Sequence, residues 1–240
     1  MAIALLWQLA YNTDSIPLTL SAPSFVGAAF IEFSDNGELW QHIQVSLLRT
    51  AYGLFFAIIS GVLLGIAMAA TKLTDKIITP TFRALMQVSA FAWIPLISVW
   101  LGTSEASRVV FITLVCLFPI ALNTYEGFTR VPKAYRETAT VLGMSALKRL
   151  RVVYLPSAMP AVVAGIELGM LYAWLAVIGA ELLMGDGRGV GALMQAGQEL
   201  FRMEVVFMGV IVCGLVGFLV VSIAALLNKY LVKEGSGVIR

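Results

Sequence analysis

From Thr50 to Thr71 the chain carries no Asp, Glu, Lys or Arg, and the same holds from Ala84 to Thr103, Val109 to Tyr125 and Val205 to Leu227. A fifth window, Ser157 to Leu183, is interrupted only by Glu167 and Glu181. A helix rises about 1.5 Å per residue, so roughly 20 apolar residues cross the hydrocarbon layer of a bilayer. Each window is long enough or nearly so; Val109 to Tyr125 is the shortest and must stand close to the membrane normal or borrow flanking residues. The chain is 60% hydrophobic and 12% charged, where a soluble domain has about half and about a quarter. The windows therefore predict an all-α membrane protein with five clear transmembrane helices.

Met1 to Tyr11 is apolar but too short to span. It lacks the basic start and small-residue cleavage site of a signal peptide, and reads instead as the tail of a short, truncated first helix.

Lys and Arg placement sets the expected orientation. Lys72, Lys76, Arg83, Arg130, Lys133, Arg136, Lys148, Arg149, Arg151, Lys229, Lys233 and Arg240 fall on one side of these spans. Arg49, Arg108, Arg188 and Arg202 fall on the other. The richer side is expected to be cytoplasmic, which puts residues 126–156 and the C-terminus inside. Cys116 and Cys213 lie within apolar spans and read as small hydrophobes. His42 has no partner motif and is assigned no role.

Residues 14–45 form an outer-side connector. Within it "APSFVGAAFIEF" fits a helix lying in the interface or an extended loop, and "SDNGELWQHI" gives a turn and a helix start. Gly61 with Gly65, and Gly165 with Gly169, sit one turn apart, a spacing that lets helix backbones approach closely in lipid. Pro95 and Pro119 fall inside spans and should bend or open their helices. Gly185, Gly187, Gly189 and Gly191 mimic a phosphate cradle. No strand precedes them and no Lys-Ser/Thr follows, so a flexible turn and a short helix, Ala192 to Phe201, is the simpler account.

Between the fourth and fifth spans the chain turns polar. Pro132 is placed to start a helix, and Tyr135, Ala139 and Leu142 recur at helical spacing. Gly143 can adopt the left-handed conformation that ends a helix. A second helical run carries Leu147, Leu150 and Tyr154 on one side and Lys148, Arg149 and Arg151 on the rest; Leu155-Pro156 should stop it, and Pro156 can start the next span. On pattern alone this is a rigid pair of short helices suited to pushing on a soluble partner, or a basic interfacial connector.

The spacing sharpens the choice. Glu137-Thr138-Ala139, three residues, Gly143, nine residues, then Val153-x-Leu155-Pro156 resembles the "EAA" signature of ABC importer permeases: Glu-Ala-Ala, three residues, Gly, nine residues, Ile-x-Leu-Pro. Thr138 stands for the first Ala and Val153 for Ile. "SLLRTAYGLFFAIISGVLLG", "WIPLISVWLGTSEASRVVFITLVCLFPIALNTYEG" and "GAELL...GRGVGALM" extend the likeness across nearly the whole chain, to permeases of the nitrate, sulfonate and taurine group. One departure is Glu167, where relatives often carry a basic residue.

The resemblance implies a type I ABC importer transmembrane domain over residues 1–240. It implies a bacterial inner-membrane, multi-pass subunit of a homodimer, served by two cytoplasmic ATPase subunits and an extracytoplasmic solute-binding protein, in contact with lipid and not with nucleic acid. ATP and Mg would sit on the ATPase and no cofactor on this chain. Glu137 would contact the ATPase, with Thr138 and Ala139 beside it. Gly143 would make the turn, and Val153, Leu155 and Pro156 would anchor the coupling helix to the fifth span. The implied cargo is a small anion such as a sulfonate, taurine or nitrate. The chain itself should not hydrolyse ATP, since it has no Walker A, HExxH or GxSxG pattern.

Glu167 and Glu181 are ionisable groups within a span, which usually face a bundle interior or a water-filled cavity. They lie close to one helix face with Trp174 midway, and the three are candidates for lining the translocation path. The alternative for Glu181 is an interfacial position that orients the following loop. Two rival functions remain at this level: a secondary transporter, for which no internal repeat is seen, and a non-transporting membrane scaffold.

Overall fold

The computed structural model describes residues 7–8, 11, 21–185 and 187–235, with side chains to residue 223; Met1–Tyr11 and the first part of the 14–45 connector fall largely outside them. Ten α-helices occupy the described residues from Ser21 on: α1 (Pro23–Asp35), α2 (Glu38–Ala70), α3 (Lys72–Met86), α4 (Trp93–Leu101), α5 (Glu105–Thr129), α6 (Lys133–Val141), α7 (Ala146–Arg149), α8 (Leu155–Leu183), α9 (Val190–Glu199) and α10 (Met203–Gly235). Four helical stretches are long and apolar enough to cross a membrane, and α3 with α4 makes a fifth if taken together. The chain is thus an all-α membrane protein, as the windows predicted.

Helices α2, α5 and α8 form the centre. The partner of both glycine pairs is α5. A Cβ on Gly61 would lie 2.9 Å from Ile120 and one on Gly65 2.6 Å from the Ala121 carbonyl oxygen; Gly165 and Gly169 approach Asn123 and Ile120 equally closely. Between these backbones lie Ala57, Phe111, Ile112, Cys116, Ile120, Ala173 and Val177. Apolar residues on the far side of α2, such as Phe55 and Leu63, and of α10, such as Leu215 and Phe218, stay exposed, as lipid-facing surfaces do.

Several boundaries differ from the sequence reading. Helix α2 begins at Glu38, so the last residues of the 14–45 connector are its first turns; Gly37, in the left-handed conformation, makes the turn before it. The interfacial segment of that connector is helical as α1, opened by Pro23. The shortest window extends at both ends into α5, which runs continuously through Pro119.

The Ala84–Thr103 window is not one straight helix. Helices α3 and Ala90–Leu101 meet at 92°, through an extended Ser89 and a 3-10 turn at Ala90–Ala92. Pro95 supplies a reason: inside a straight helix its ring would press on the Phe91 carbonyl. Restarting at Trp93 puts it in a first turn, where its missing N–H costs nothing. Leu155-Pro156, expected as a stop, is instead passed without interruption. From Ala146 the helix runs on through a π turn at Leu150–Tyr154. The wider turn accommodates Pro156, which can donate no hydrogen bond.

Candidate functional site

Two constellations stand at opposite ends of the bundle. The first is the segment carrying the Glu-Thr-Ala to Leu-Pro spacing. Pro132 precedes α6 in extended conformation. The helix closes with the hydrogen-bond pattern of a Schellman cap: the Met144 N–H donates to the Ala139 carbonyl at 3.1 Å and the Gly143 N–H to the Thr140 carbonyl at 3.0 Å. Gly143 has φ +62° and open space where a Cβ would be, so a side chain there meets no neighbour but strains the backbone. Ser145 then caps α7 by accepting from the Lys148 N–H at 3.4 Å.

Little of this segment faces the bundle. Ala139 is buried, but Glu137 and Thr138 are exposed, as are Tyr135, Val141, Leu142 and Leu147. Val141 is 87% exposed. Glu137 pairs with Lys133 one turn earlier at 3.4 Å, an exposed pair of small energetic weight. Val153 is half-buried, while Leu155 and Pro156 are exposed. The apolar stripe read from the sequence is present, but apart from Ala139 it points away from this chain's own core.

The second constellation was legible only in part. Glu181, near the end of α8, is fully buried, and Arg49 of α2 is 3% exposed. Arg49 Nη1 donates to Glu181 Oε1 at 2.9 Å and to the Arg188 carbonyl at 2.7 Å. Its Nε donates to Glu105 Oε2 at 2.7 Å, and Nη2 donates to the other oxygen of Glu105. The guanidinium thus bridges the start of α5 to the end of α8 in the bidentate geometry that suits arginine. Ser46 Oγ lies 2.8 and 2.9 Å from the two Glu181 oxygens and accepts the Val190 N–H at 3.0 Å. The Gly191 N–H donates to Glu181 Oε2 at 2.9 Å. Arg108 Nη2 holds the Met184 carbonyl at 2.6 Å.

These bonds fasten Met184 and the stretch from Arg188 to Gly191 to three helices, and Gly189 and Gly191 find their reason here. Gly189 sits at φ +106°, and a Cβ would collide with the Glu181 carboxyl; one on Gly191 would lie 2.7 Å from the Ile178 carbonyl and 2.8 Å from Glu181 Cβ. His42, assigned nothing from sequence, belongs to the same cluster: its Nδ1 lies 3.0 Å from the Gly189 nitrogen and 2.9 Å from its carbonyl oxygen.

The three candidates for a path lining do not come together at one surface. Glu181 occupies the cluster just described. Trp174 is 3% exposed; its Nε1 donates to the Cys213 carbonyl at 3.0 Å and its ring lies against Gly217 of α10. Glu167 is half-buried on α8. The network around Glu181 escaped sequence reasoning because its members come from four separated stretches. The available hint was an Arg49 and an Arg108 at the ends of otherwise uncharged windows.

The family model for "binding-protein-dependent transport system inner membrane component" matches residues 61–234. The putative aliphatic sulfonates transport permease protein of Bacillus subtilis is 32% identical over 96% of this chain and 84% of its own length. The taurine transport system permease protein of Escherichia coli is also 32% identical, over 89% of this chain and 79% of its own. A nitrate import permease protein of Leptolyngbya laminosa is 30% identical over 84% and 71%. Among solved structures, a chain of the inward-facing MetNI methionine ABC transporter superposes with a TM-score of 0.59 at 18% identity, covering 80% of this chain and 94% of that one.

Proposed function

The chain belongs to the binding-protein-dependent transport system inner membrane components, and from that premise we propose that it conducts a small anion, a sulfonate, taurine or nitrate, between two copies of itself. It is a permease subunit of an ABC transporter, with the fold of a type I importer transmembrane domain, and not itself the ATPase; neither a secondary transporter nor a scaffold is favoured. The anion class is suggested by relatives named for sulfonates, taurine and nitrate.

The observation that carries the mechanism is the segment from Glu137 to Pro156. Its spacing folds into a short helix, a left-handed Gly143 and a second helix continuous with α8, with an apolar surface turned outward. In our reading this is the coupling helix, seated in a groove of the ATPase. Glu137 makes the polar contact, and Thr138 and Ala139 shape the helix. The unbroken run through Val153, Leu155 and Pro156 acts as the lever that transmits ATPase closure to α8. Residues 126–156 and the C-terminus then face the cytoplasm, in keeping with the Lys and Arg excess at that end. ATP and Mg belong to the partner. A solute-binding protein meets the opposite end, where the cluster around Arg49 and Glu181 binds the backbone of Arg188, Val190 and Gly191.

Reconstitution of the chain with its ATPase and binding protein in proteoliposomes tests this. Uptake of taurine, an alkanesulfonate or nitrate that requires both ATP and the binding protein is the expected result. An assembled complex that hydrolyses ATP yet accumulates none of the three would overturn the substrate class.

A further inference from the structure

Helix α3 reads differently once its surroundings are known. It climbs α5 in the antiparallel sense: the Tyr125 hydroxyl donates to Asp75 at 2.7 Å, and the Phe82 and Phe118 rings stand 5.4 Å apart. Beyond the 92° bend, Phe91 stacks near Phe111 at 6.2 Å. The bend therefore lies level with the middle of α5. The packed face of α3 is formed by Ile78, Phe82 and Met86, against Leu64, Met68, Leu117 and Ala121. A second face, with Leu73, Ile77 and Leu85, is apolar and exposed.

Between them runs a third. At 100° per residue, Lys76, Pro80, Arg83 and Gln87 fall within one narrow sector, and all four are exposed. Among the described residues no carboxylate pairs with Lys76 or Arg83. The sector thus carries two cations without a direct salt bridge, Arg83 having Asp75 only within longer electrostatic reach, and an amide from the end of the bundle to its middle. There it meets Gln87, Val88 and Ser89, irregular backbone that is also exposed.

Neither feature suits a lipid-facing surface. Irregular backbone at membrane depth occurs only where protein or water covers it, and an arginine one turn short of the bundle's middle faces an interior or a water-filled cavity. We propose that the Lys76–Arg83–Gln87 face and the bend above it line the inner half of the anion's path between two permease chains. Arg83 draws the anion in, and Gln87 and Ser89 offer it neutral hydrogen-bond donors at the depth of the bend. This rests on the reading of the chain as an anion-conducting permease, and adds the surface that does the conducting.

The test uses the full complex in vesicles, with Cys116→Ala and Cys213→Ala as background and thiol reagents on both faces. One methanethiosulfonate carries a sulfonate and the other a trimethylammonium group, each rate being normalised to a free thiol. Gln87→Cys is expected to react about tenfold faster with the anionic reagent, a ratio typical of electrostatic steering in a charged cleft. Adding Arg83→Gln should abolish the preference. Lys76→Cys should also react, and Thr81→Cys, on the apolar side of α3, should not. Co-purification of the ATPase is followed throughout. Loss of that complex in the parent protein would bring down the permease reading and this inference with it. An intact complex in which both stripe cysteines are inert would show that this face meets lipid. Equal rates indifferent to Arg83→Gln would remove the anion selectivity. Either result overturns the proposal while leaving the permease reading in place.

Discussion

At one end of the bundle Arg49 and Glu181 are 3% and 0% exposed and share their hydrogen bonds with Ser46, Glu105 and the backbone of the 188–191 stretch. At the other, among the described residues, Glu137 meets only Lys133, one turn earlier, on a surface where Val141 is 87% exposed. Both regions break up an apolar chain with charge, and both were candidates for function from sequence. The difference lies in what completes them. Charges of the first region are satisfied within the chain, at the desolvation cost that makes a half-broken pair expensive. Those of the second stay at the surface, where the proposed function gives them a partner. Burial and satisfied bonding mark a fastening; exposed apolar surface on a rigidly capped helix is what the proposed docking element requires.

Substitutions should separate the two. The largest effect is expected from Arg49→Met, which leaves Glu181 buried without its cation and should cost about 3–5 kcal/mol of stability. It should be read as a lower melting temperature in detergent, with Arg49→Met/Glu181→Leu recovering much of the loss. Equal melting of single variant and parent would break the claim that this end is a fastening. Next, Gly189→Ala forces a side chain onto the Glu181 carboxyl at positive φ and should cost of order 1–3 kcal/mol in the same melting assay. Gly143→Ala meets no neighbour and carries only the backbone penalty of about 1–2 kcal/mol. Its melting should shift less than that of Gly189→Ala, while ATP-driven uptake in vesicles falls severalfold. Glu167→Gln should alter transport without impairing assembly, and unchanged uptake would remove Glu167 from the path. Smallest of all, Lys133→Ala should change stability by no more than about 0.5 kcal/mol, since it removes one exposed i,i+4 pair.

Much of the helix inventory was readable because lipid imposes a length and an apolarity that uncharged windows report directly. The proposed docking segment was readable because its signal is local: Glu137, Gly143 and Pro156 sit within one stretch, and Gly143 needs its conformation whatever packs around it. The Arg49–Glu105–Glu181 cluster had no such signature. Its three charges come from α2, α5 and α8, and only their packing reveals that each neutralises another. The same limit hid the role of His42, which depends on a loop contact with Gly189. The bend after Met86 was hidden for a different reason. Hydropathy averages over a window and is blind to direction, so Ala84 to Thr103, the end of α3 together with α4, reads as one span although the two helices meet at 92°. Pro156 misled in the opposite sense, because a π turn lets a helix carry on past it.

The division between a fastened end and a docking end is tested most directly by a cysteine at Leu142, beside Gly143 and 65% exposed, in a chain lacking Cys116 and Cys213. With the ATPase subunit present, Leu142→Cys should crosslink to it, and the yield should change when ATP is added. A cysteine at Trp40, exposed at the opposite end, should not crosslink. A complex that assembles and hydrolyses ATP but gives no ATP-sensitive crosslink at Leu142 would contradict the account.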